Sequence, residues 1–326
     1  MNNRETFFDE ILPGLMCISS SYHNRRLNQY FLRGETIAVL VDTGTSDTPS
    51  RVIEPCLRQA GVSPEQIRLV IITHADADHF GGNGLTRRLF PFCLFAAHEQ
   101  DAPWIESPRK ALSERYDEFS AYGMPLEPSR ADQLLRAMGA ATPVDLLLQG
   151  DEAIRLAEHQ IWHVLHTPGH TPGHLALWNE EQKVAIVGDA ALGEGVPALQ
   201  GGMALAPTYR YTAAYLKTIE RLEALDAEWL LTAHYPVMCG SQVRDFLRLS
   251  HEWVQRAEQA ILYVLQEAIE SLALAEIIVR VKPLLGKWLN PDKTGLEYPI
   301  LGGLEHLEQQ TLVFREDKDG KVVWRV

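Results

Sequence analysis

The sequence predicts an α/β fold in residues 1–238 and a small, mostly helical domain in residues 239–326. Two observations predict the α/β part. Short apolar runs rich in Val and Ile alternate with segments of helical spacing, and metal-binding residue types follow several of these runs. The third observation is the long helical periodicity beyond Tyr235, which replaces the pattern of short strands.

The first half of the α/β part begins with strands and then becomes mixed. A hairpin turn is expected at 33–36, and a helix is expected over 50–61, with Gly61 as its end. The strand that follows this helix implies a crossover connection within one layer. The predicted strands are 14–20, 28–44 around the turn, 67–73 and 92–99, and the predicted helix is 50–61.

The second half starts after a polar stretch, residues 101–145, which contains several prolines and short helical pieces and resembles an insertion. Strand patterns then return, and a turn is expected at 179–182. An amphipathic helix separates the last strand from the others. The predicted strands are 153–158, 160–166, 175–178, 184–187 and 227–235, and the predicted helix is 211–225.

Composition limits the classes of function. The chain has 326 residues and a formal net charge of -13, which argues against nucleic acid as a partner of the whole chain. Its four cysteines form no CxxC pair, so we expect free thiols in a reducing compartment. The start of the sequence lacks an apolar signal region, and no apolar run has the length of a membrane span. We therefore expect a cytoplasmic protein without a membrane partner.

Metal-ligand residue types recur where predicted strands end. The sequence THADADH follows a buried strand, and three more ligand types follow later strands. Imidazole and carboxylate groups gathered at one edge of the sheets would form a metal site. The candidate ligands are His74, Asp76, Asp78, His79, His170, Asp189 and His234. His174 also lies nearby, with a ligand, turn-stabilising or substrate-contact role left open.

These motifs, in this order, resemble the metallo-β-lactamase superfamily over about residues 10–238. The matching segments are DTG at 42–44, THADADH, TPGHT at 167–171, GD at 188–189 and AHY at 233–235. The resemblance implies a four-layer αββα sandwich with two metal ions at its open edge. It implies that His74, position 76 and His170 hold metal one, that Asp78, His79 and His234 hold metal two, and that Asp189 bridges them.

Position 76 departs from the family pattern, which has histidine there. Asp76 adds a hard, anionic ligand, which should lower the Lewis acidity of the metals and favour iron or manganese relative to zinc. The side chain is also shorter, so metal one could be held weakly. We expect two divalent ions, with zinc, iron and manganese left open.

The resemblance implies a hydrolase in which a bridging water or hydroxide attacks the substrate. Asp78 would orient this nucleophile and accept its proton. We expect a small-molecule substrate with an ester or thioester bond. The alternatives are a di-iron redox protein, a phosphodiesterase or nuclease-like enzyme that processes nucleic acid, and a non-enzymatic protein whose metal site has decayed at Asp76.

The segment 239–326 shows the order helix, helix, helix, β-hairpin, which is that of a winged helix. A similar domain follows the sandwich in one branch of the superfamily that includes nuclease-like members. Basic residues from 270 onward are matched by at least as many acidic ones, so no basic stripe indicates nucleic-acid binding. We expect this domain to cover one side of the active-site mouth or to form a homodimer contact.

Overall fold

The structure, a computed structural model, describes residues 7–158 and 160–326. Residues 1–6 of the predicted first domain therefore lie outside the described residues. Two large sheets form the centre of the molecule, one of seven strands and one of six.

The seven-stranded sheet is built from consecutive strands, each lying beside its neighbour in the sequence. The pairs from β1 to β4 are antiparallel, and those from β4 to β7 are parallel. The strands are β1 (Phe7–Leu12), β2 (Leu15–Tyr22), β3 (Arg25–Arg33), β4 (Ala38–Val41), β5 (Ile67–Ile71), β6 (Leu94–His98) and β7 (Leu146–Leu148).

Helices follow β4, β5 and β6, as parallel crossovers require. Proline starts several of them, since its fixed φ suits the first helical turn. The helices are α1 (Glu54–Gln59), α2 (Ala77–Phe80), α3 (Asn83–Leu89), α4 (Ala102–Glu106), α5 (Pro108–Ala111) and α6 (Pro128–Met138). Shorter turns are the π-helical Pro49–Ile53 and Leu112–Tyr116 and the 3₁₀ turns Pro64–Gln66 and Glu118–Tyr122. The predicted insertion is thus a set of short helices.

The second sheet continues the chain in the order β15-β14-β11-β10-β9-β8. A separate two-stranded ribbon, β12 with β13, follows β11. The elements are β8 (Ala153–Ala157), β9 (Gln160–His166), β10 (Leu175–Asn179), β11 (Val184–Gly188), β12 (Val196–Pro197), β13 (Met203–Leu205), α7 (Thr212–Ala224), β14 (Trp229–Thr232) and β15 (Met238–Cys239).

Three apolar cores separate four layers, in the order helices, sheet, sheet, helices. The alternation along β2 shows how the sequence produces them. Leu15 and Cys17 face the second sheet, while Met16 and Ile18 face the helices on the other side. On the opposite side of the molecule, Tyr215 and Ile219 of α7 pack on the second sheet. The layered α/β arrangement predicted from the sequence is confirmed.

The remaining chain forms three helices and a small sheet of order β16-β18-β17. The elements are α8 (Ser241–Gln266), β16 (Leu272–Ala273), α9 (Leu274–Leu285), α10 (Glu297–Gln309), β17 (Phe314–Lys318) and β18 (Lys321–Arg325). The predicted order of helices and hairpin is confirmed. These helices share one continuous apolar core with α7 and the second sheet. Within the described residues, no helix combines the length and apolar character of a membrane span.

Candidate metal centre

The seven ligand residues predicted from the sequence converge at one edge of the two sheets. They form three overlapping donor groups, and within each group the ligand atoms lie within 4.8 Å of one another. The groups are His74, Asp76 and His170; His74, His79 and Asp189; and Asp78, His79 and His234. Five of these side chains are buried, while those of Asp76 and Asp78 keep 18% and 14% of their surface exposed. The centre therefore opens to solvent past these two carboxylates.

The local sequence explains how so many donors reach one place. Strand β5 ends at Ile71, and the next residues run directly into the short helix α2. Asp78 and His79 lie within that helix, which was not predicted from the sequence. His170 comes from the Pro- and Gly-rich loop after β9, where Gly169 has a φ of +143°. A side chain on Gly169 would meet the backbone of Tyr215 at 2.5 Å, so only glycine fits this loop against α7.

Three of the candidate ligand histidines are oriented by hydrogen-bond acceptors that face their Nδ1 atoms. His79 Nδ1 donates to Asp42 Oδ2 at 2.8 Å, His170 Nδ1 to the Thr208 carbonyl at 2.9 Å, and His234 Nδ1 to the Arg26 carbonyl at 2.8 Å. A carboxylate or carbonyl can only accept, so each Nδ1 carries the proton. The Nε2 atom of each ring then faces the centre, where loss of its proton gives a lone pair for a cation.

His74 is held in the same way through Thr73. The Thr73 hydroxyl donates to Asp42 Oδ2 at 2.8 Å, so its oxygen is free to accept from His74 Nδ1 at 3.0 Å. Asp42, the first residue of the DTG motif, thus supports two ligands at once. Its φ of 63° lies in the left-handed region, which residues other than glycine adopt uncommonly.

Asp189 lies at the middle of the centre. Its Oδ2 atom is 3.3 Å from His234 Nε2, 3.6 Å from His79 Nε2, 3.9 Å from His74 Nε2 and 4.0 Å from His170 Nε2. Burial alone would raise the pKa of Asp189, but His234 and His79 hold it well below its ordinary value. One ionised carboxylate therefore lies close to candidate donors from both sheets.

The donor atoms fit a metal centre because several have no other partner. His74 Nε2, His79 Nε2 and Asp189 Oδ1 are buried, and none of them has a hydrogen-bond partner among the described residues. Buried polar atoms are normally satisfied, so such a group of atoms is typical of a cation site. The mixture of imidazole and carboxylate donors suits zinc, iron or manganese.

Asp76 has partners that the sequence did not predict. Its Oδ1 atom accepts from Arg115 Nε at 2.6 Å, and its Oδ2 atom lies 2.8 Å from His170 Nε2. Burial alone would raise the pKa of Asp76, but Arg115 and His170 keep it well below its ordinary value. The carboxylate is therefore ionised, and a buried guanidinium group lies beside the metal donors.

His174 has a supporting role. Its Nδ1 atom lies 2.9 Å from the Thr167 hydroxyl, and its Nε2 atom accepts from the backbone N–H of Asp189 at 3.2 Å. Burial and the neighbouring His74 hold the pKa of His174 well below its ordinary value, so the ring is neutral. Both nitrogens are engaged, and His174 fixes the backbone of the central ligand.

Asp101, another buried carboxylate near the candidate ligands, was not identified from the sequence. Its side chain accepts from the backbone N–H groups of Ala75 and Gly173, at 2.9 Å and 2.7 Å, and from the Thr171 hydroxyl at 2.7 Å. It thereby ties the loop that carries His74 to the loop that carries His170. Its position just after a strand end, at the start of the insertion, was the only signal in the sequence.

Replacing Asp42 with asparagine is expected to lower the affinity for metal by about 10- to 100-fold, as for other groups that orient a ligand. The amide nitrogen of asparagine cannot accept a hydrogen bond, so either His79 and the Thr73 hydroxyl or the Thr73 backbone N–H loses its acceptor, and the His79 ring is oriented less well. Titration against a chromophoric chelator measures this loss.

Asp226→Asn is the matched control, since Asp226 is 78% exposed and also has a positive φ. Its affinity for metal should equal that of the wild type. Equal affinities in the Asp42 and Asp226 variants would contradict the supporting role of Asp42.

Comparison with known proteins agrees with this geometry. The family model of the metallo-beta-lactamase superfamily matches residues 25–234. The chain is 24% identical over 220 residues to a probable metallo-hydrolase of Bacillus subtilis, YflN, covering 64% of this chain and 79% of that protein. It is also 24% identical over 284 residues to the human acyl-coenzyme A thioesterase MBLAC2, covering 83% of this chain and 95% of that protein.

Among solved structures, a metallo-beta-lactamase family protein from Thermus thermophilus has a similar fold, with a TM-score of 0.75 and 23% identity. The similarity covers 97% of this chain and 99% of the other, so it includes the C-terminal helices. The family model spans most of the chain and includes all seven ligand positions. The protein is therefore a member of the metallo-beta-lactamase superfamily.

Proposed function

We propose that the protein is a metal-dependent hydrolase that cleaves an ester or thioester bond in a small organic molecule. The observation that carries this proposal is the buried set of oriented imidazole Nε2 atoms around Asp189. The group His74, Asp76 and His170 and the group Asp78, His79 and His234, with Asp189 Oδ2 close to histidines of both, would hold two divalent ions, zinc, iron or manganese. Such ions lower the pKa of a coordinated water and polarise the bond that is cleaved.

Asp78 is proposed as the residue that orients the attacking water and accepts its proton. Its carboxylate is partly exposed at the opening of the centre, and its Oδ2 atom is 3.9 Å from His234 Nε2. Burial alone would raise the pKa of Asp78, but His79 and Arg25 hold it below its ordinary value. The carboxylate is thus ionised and able to accept a proton at this position.

A thioester is the first substrate class to test. The relative MBLAC2 is named an acyl-coenzyme A thioesterase, and the match covers nearly all of that protein. The acidic balance of this chain favours a small organic substrate over a nucleic acid. The cytoplasmic location and the homodimer contact stay predictions from the sequence.

For the C-terminal region we propose a division at residue 238, a winged-helix-like arrangement and a role in covering the active site. Helix α10 supports this role through two contacts. Its Glu305 accepts two hydrogen bonds from Arg210, at 2.6 Å and 2.9 Å, close to the Thr208 carbonyl that orients His170. Its Tyr298 ring lies 5.7 Å from the Arg115 guanidinium.

The test is a substrate screen on protein purified without added metal or chelator, after its metal content has been measured. Acyl-coenzyme A esters, p-nitrophenyl esters and bis(p-nitrophenyl) phosphate represent the three bond classes. We expect thioester or ester hydrolysis that a chelator abolishes and that zinc or manganese restores. Cleavage of the phosphodiester alone, or bound iron with redox-sensitive absorption and no hydrolysis, would overturn the proposal.

A further inference from the structure

The side chain of Arg115 is buried within the candidate metal centre. It projects from the π-helical turn Leu112–Tyr116, and only 3% of its surface is exposed. A buried guanidinium group is costly unless charged and hydrogen-bonding partners surround it. Asp76 supplies the charge, at 2.6 Å, and the Tyr298 ring covers another side of the cation. Arg115 is therefore fixed in place.

The two oxygens of Asp76 face different partners. Oδ1 accepts from Arg115 Nε and, at 3.2 Å, from the Tyr116 hydroxyl. Oδ2 faces the donor nitrogens, 2.8 Å from His170 Nε2 and 3.7 Å from His74 Nε2. A carboxylate can coordinate a cation through one oxygen or both, but here only Oδ2 is available for the first donor group.

Charge distinguishes this first group, His74, Asp76 and His170, from the group Asp78, His79 and His234, hereafter the second group. Arg115 Nη2 is 3.5 Å from His170 Nε2, so the guanidinium lies near the place where an ion would bind. The charges of Asp76 and Arg115 cancel. In the second group, Arg25 Nη2 is 3.9 Å from Asp78 Oδ2, and the Arg25 side chain is 14% exposed, compared with 3% for Arg115. An ion at the first group is therefore repelled by Arg115 at close range. At the second group, the positive charge of Arg25 lies further from the carboxylate and repels an ion less strongly.

We propose that Arg115 is a positioning residue that makes Asp76 a one-oxygen, charge-compensated ligand and thereby weakens the first ion site relative to the second. The inference rests on the proposed two-ion centre. The second group, Asp78, His79 and His234, fills first. The first group, His74, Asp76 and His170, fills only at higher metal concentration. Arg115 also offsets the additional negative charge that the sequence predicted for Asp76.

Cobalt(II) titration of the metal-free, full-length protein tests this inference, with visible absorption and calorimetry as readouts. The wild type should bind in two steps whose affinities differ by at least about tenfold, because the Arg115 guanidinium repels an ion at the first group. Arg115→Met removes the positive charge beside the site, so it should tighten the weaker step by at least about tenfold and leave the tighter step unchanged. Arg115→Lys keeps the positive charge and should keep the weaker step weak.

The two steps are assigned with variants that leave Arg115 intact. His170→Ala should remove the weaker step, and His234→Ala should remove the tighter one. This assignment decides the question even if Arg115→Met does not fold. The reverse assignment, two equal steps in the wild type, or a weaker step unchanged or further weakened in a folded Arg115→Met would each overturn the inference. Absence of any cobalt binding would instead overturn the proposed function.

Discussion

Replacing Asp189 with asparagine is expected to lower the rate of hydrolysis by more than about 100-fold, the upper end of losses for groups that merely support a ligand. The reason is that its Oδ2 atom lies within 4.0 Å of four imidazole nitrogens from both sheets. A neutral amide at this position supplies no negative charge to either donor group. Initial rates on the substrate found in the screen, together with metal content after dialysis, measure the loss.

Asp245→Asn is the control for this experiment, because Asp245 is 64% exposed on α8 and belongs to none of the donor groups. Its rate and metal content should match the wild type. An Asp189→Asn protein that retains both ions and more than about a tenth of the rate would exclude Asp189 as the shared ligand.

Replacing Trp253 with alanine is expected to lower the free energy of unfolding by about 3–5 kcal/mol, as for other large buried aromatic side chains. Trp253 lies on α8 with 1% of its surface exposed, and its ring meets that of Tyr209 edge-on at 5.9 Å. Both belong to the apolar core that joins the C-terminal helices to the second sheet. Guanidinium denaturation followed by circular dichroism measures the change.

Tyr263→Ala on the same helix provides the comparison. Because Tyr263 is 55% exposed, this change should lower the free energy of unfolding by less than about 0.5 kcal/mol. The continuous core also predicts that both parts of the chain unfold together. Two separate transitions, with only the C-terminal one shifted by Trp253→Ala, would mean that the core does not couple the two parts.

The convergence of the candidate ligand residues could be predicted because their signals in the sequence are local. A buried strand followed at once by THADADH, or by GD and AHY, places donors at strand ends without knowledge of distant contacts. The strand periodicities likewise predicted most of the sheet, since residues such as Leu15 and Met16 alternate between two apolar cores. These features depend on neighbours along the chain.

Arg115 could not be predicted, because its role depends on three distant parts of the chain. The segment LSERYDE is polar and lies within the insertion, so its pattern gave no signal of burial. Its burial follows from packing against Asp76 in the loop after β5 and Tyr298 in α10. Asp101 was missed for the same reason, as its three donors come from two loops about 100 residues apart.

The division of the donors between two sheets has a consequence for folding. His74 and His79 follow a strand of the first sheet, whereas Asp189 and His234 follow strands of the second. Neither sheet alone presents a complete set, so an ion finds all its ligands only after the two sheets have docked. Binding therefore favours the docked state and opposes opening of the sandwich at this edge. Loading of the proposed metal ions would then be a late step in folding, and it would stabilise the contact between the two sheets.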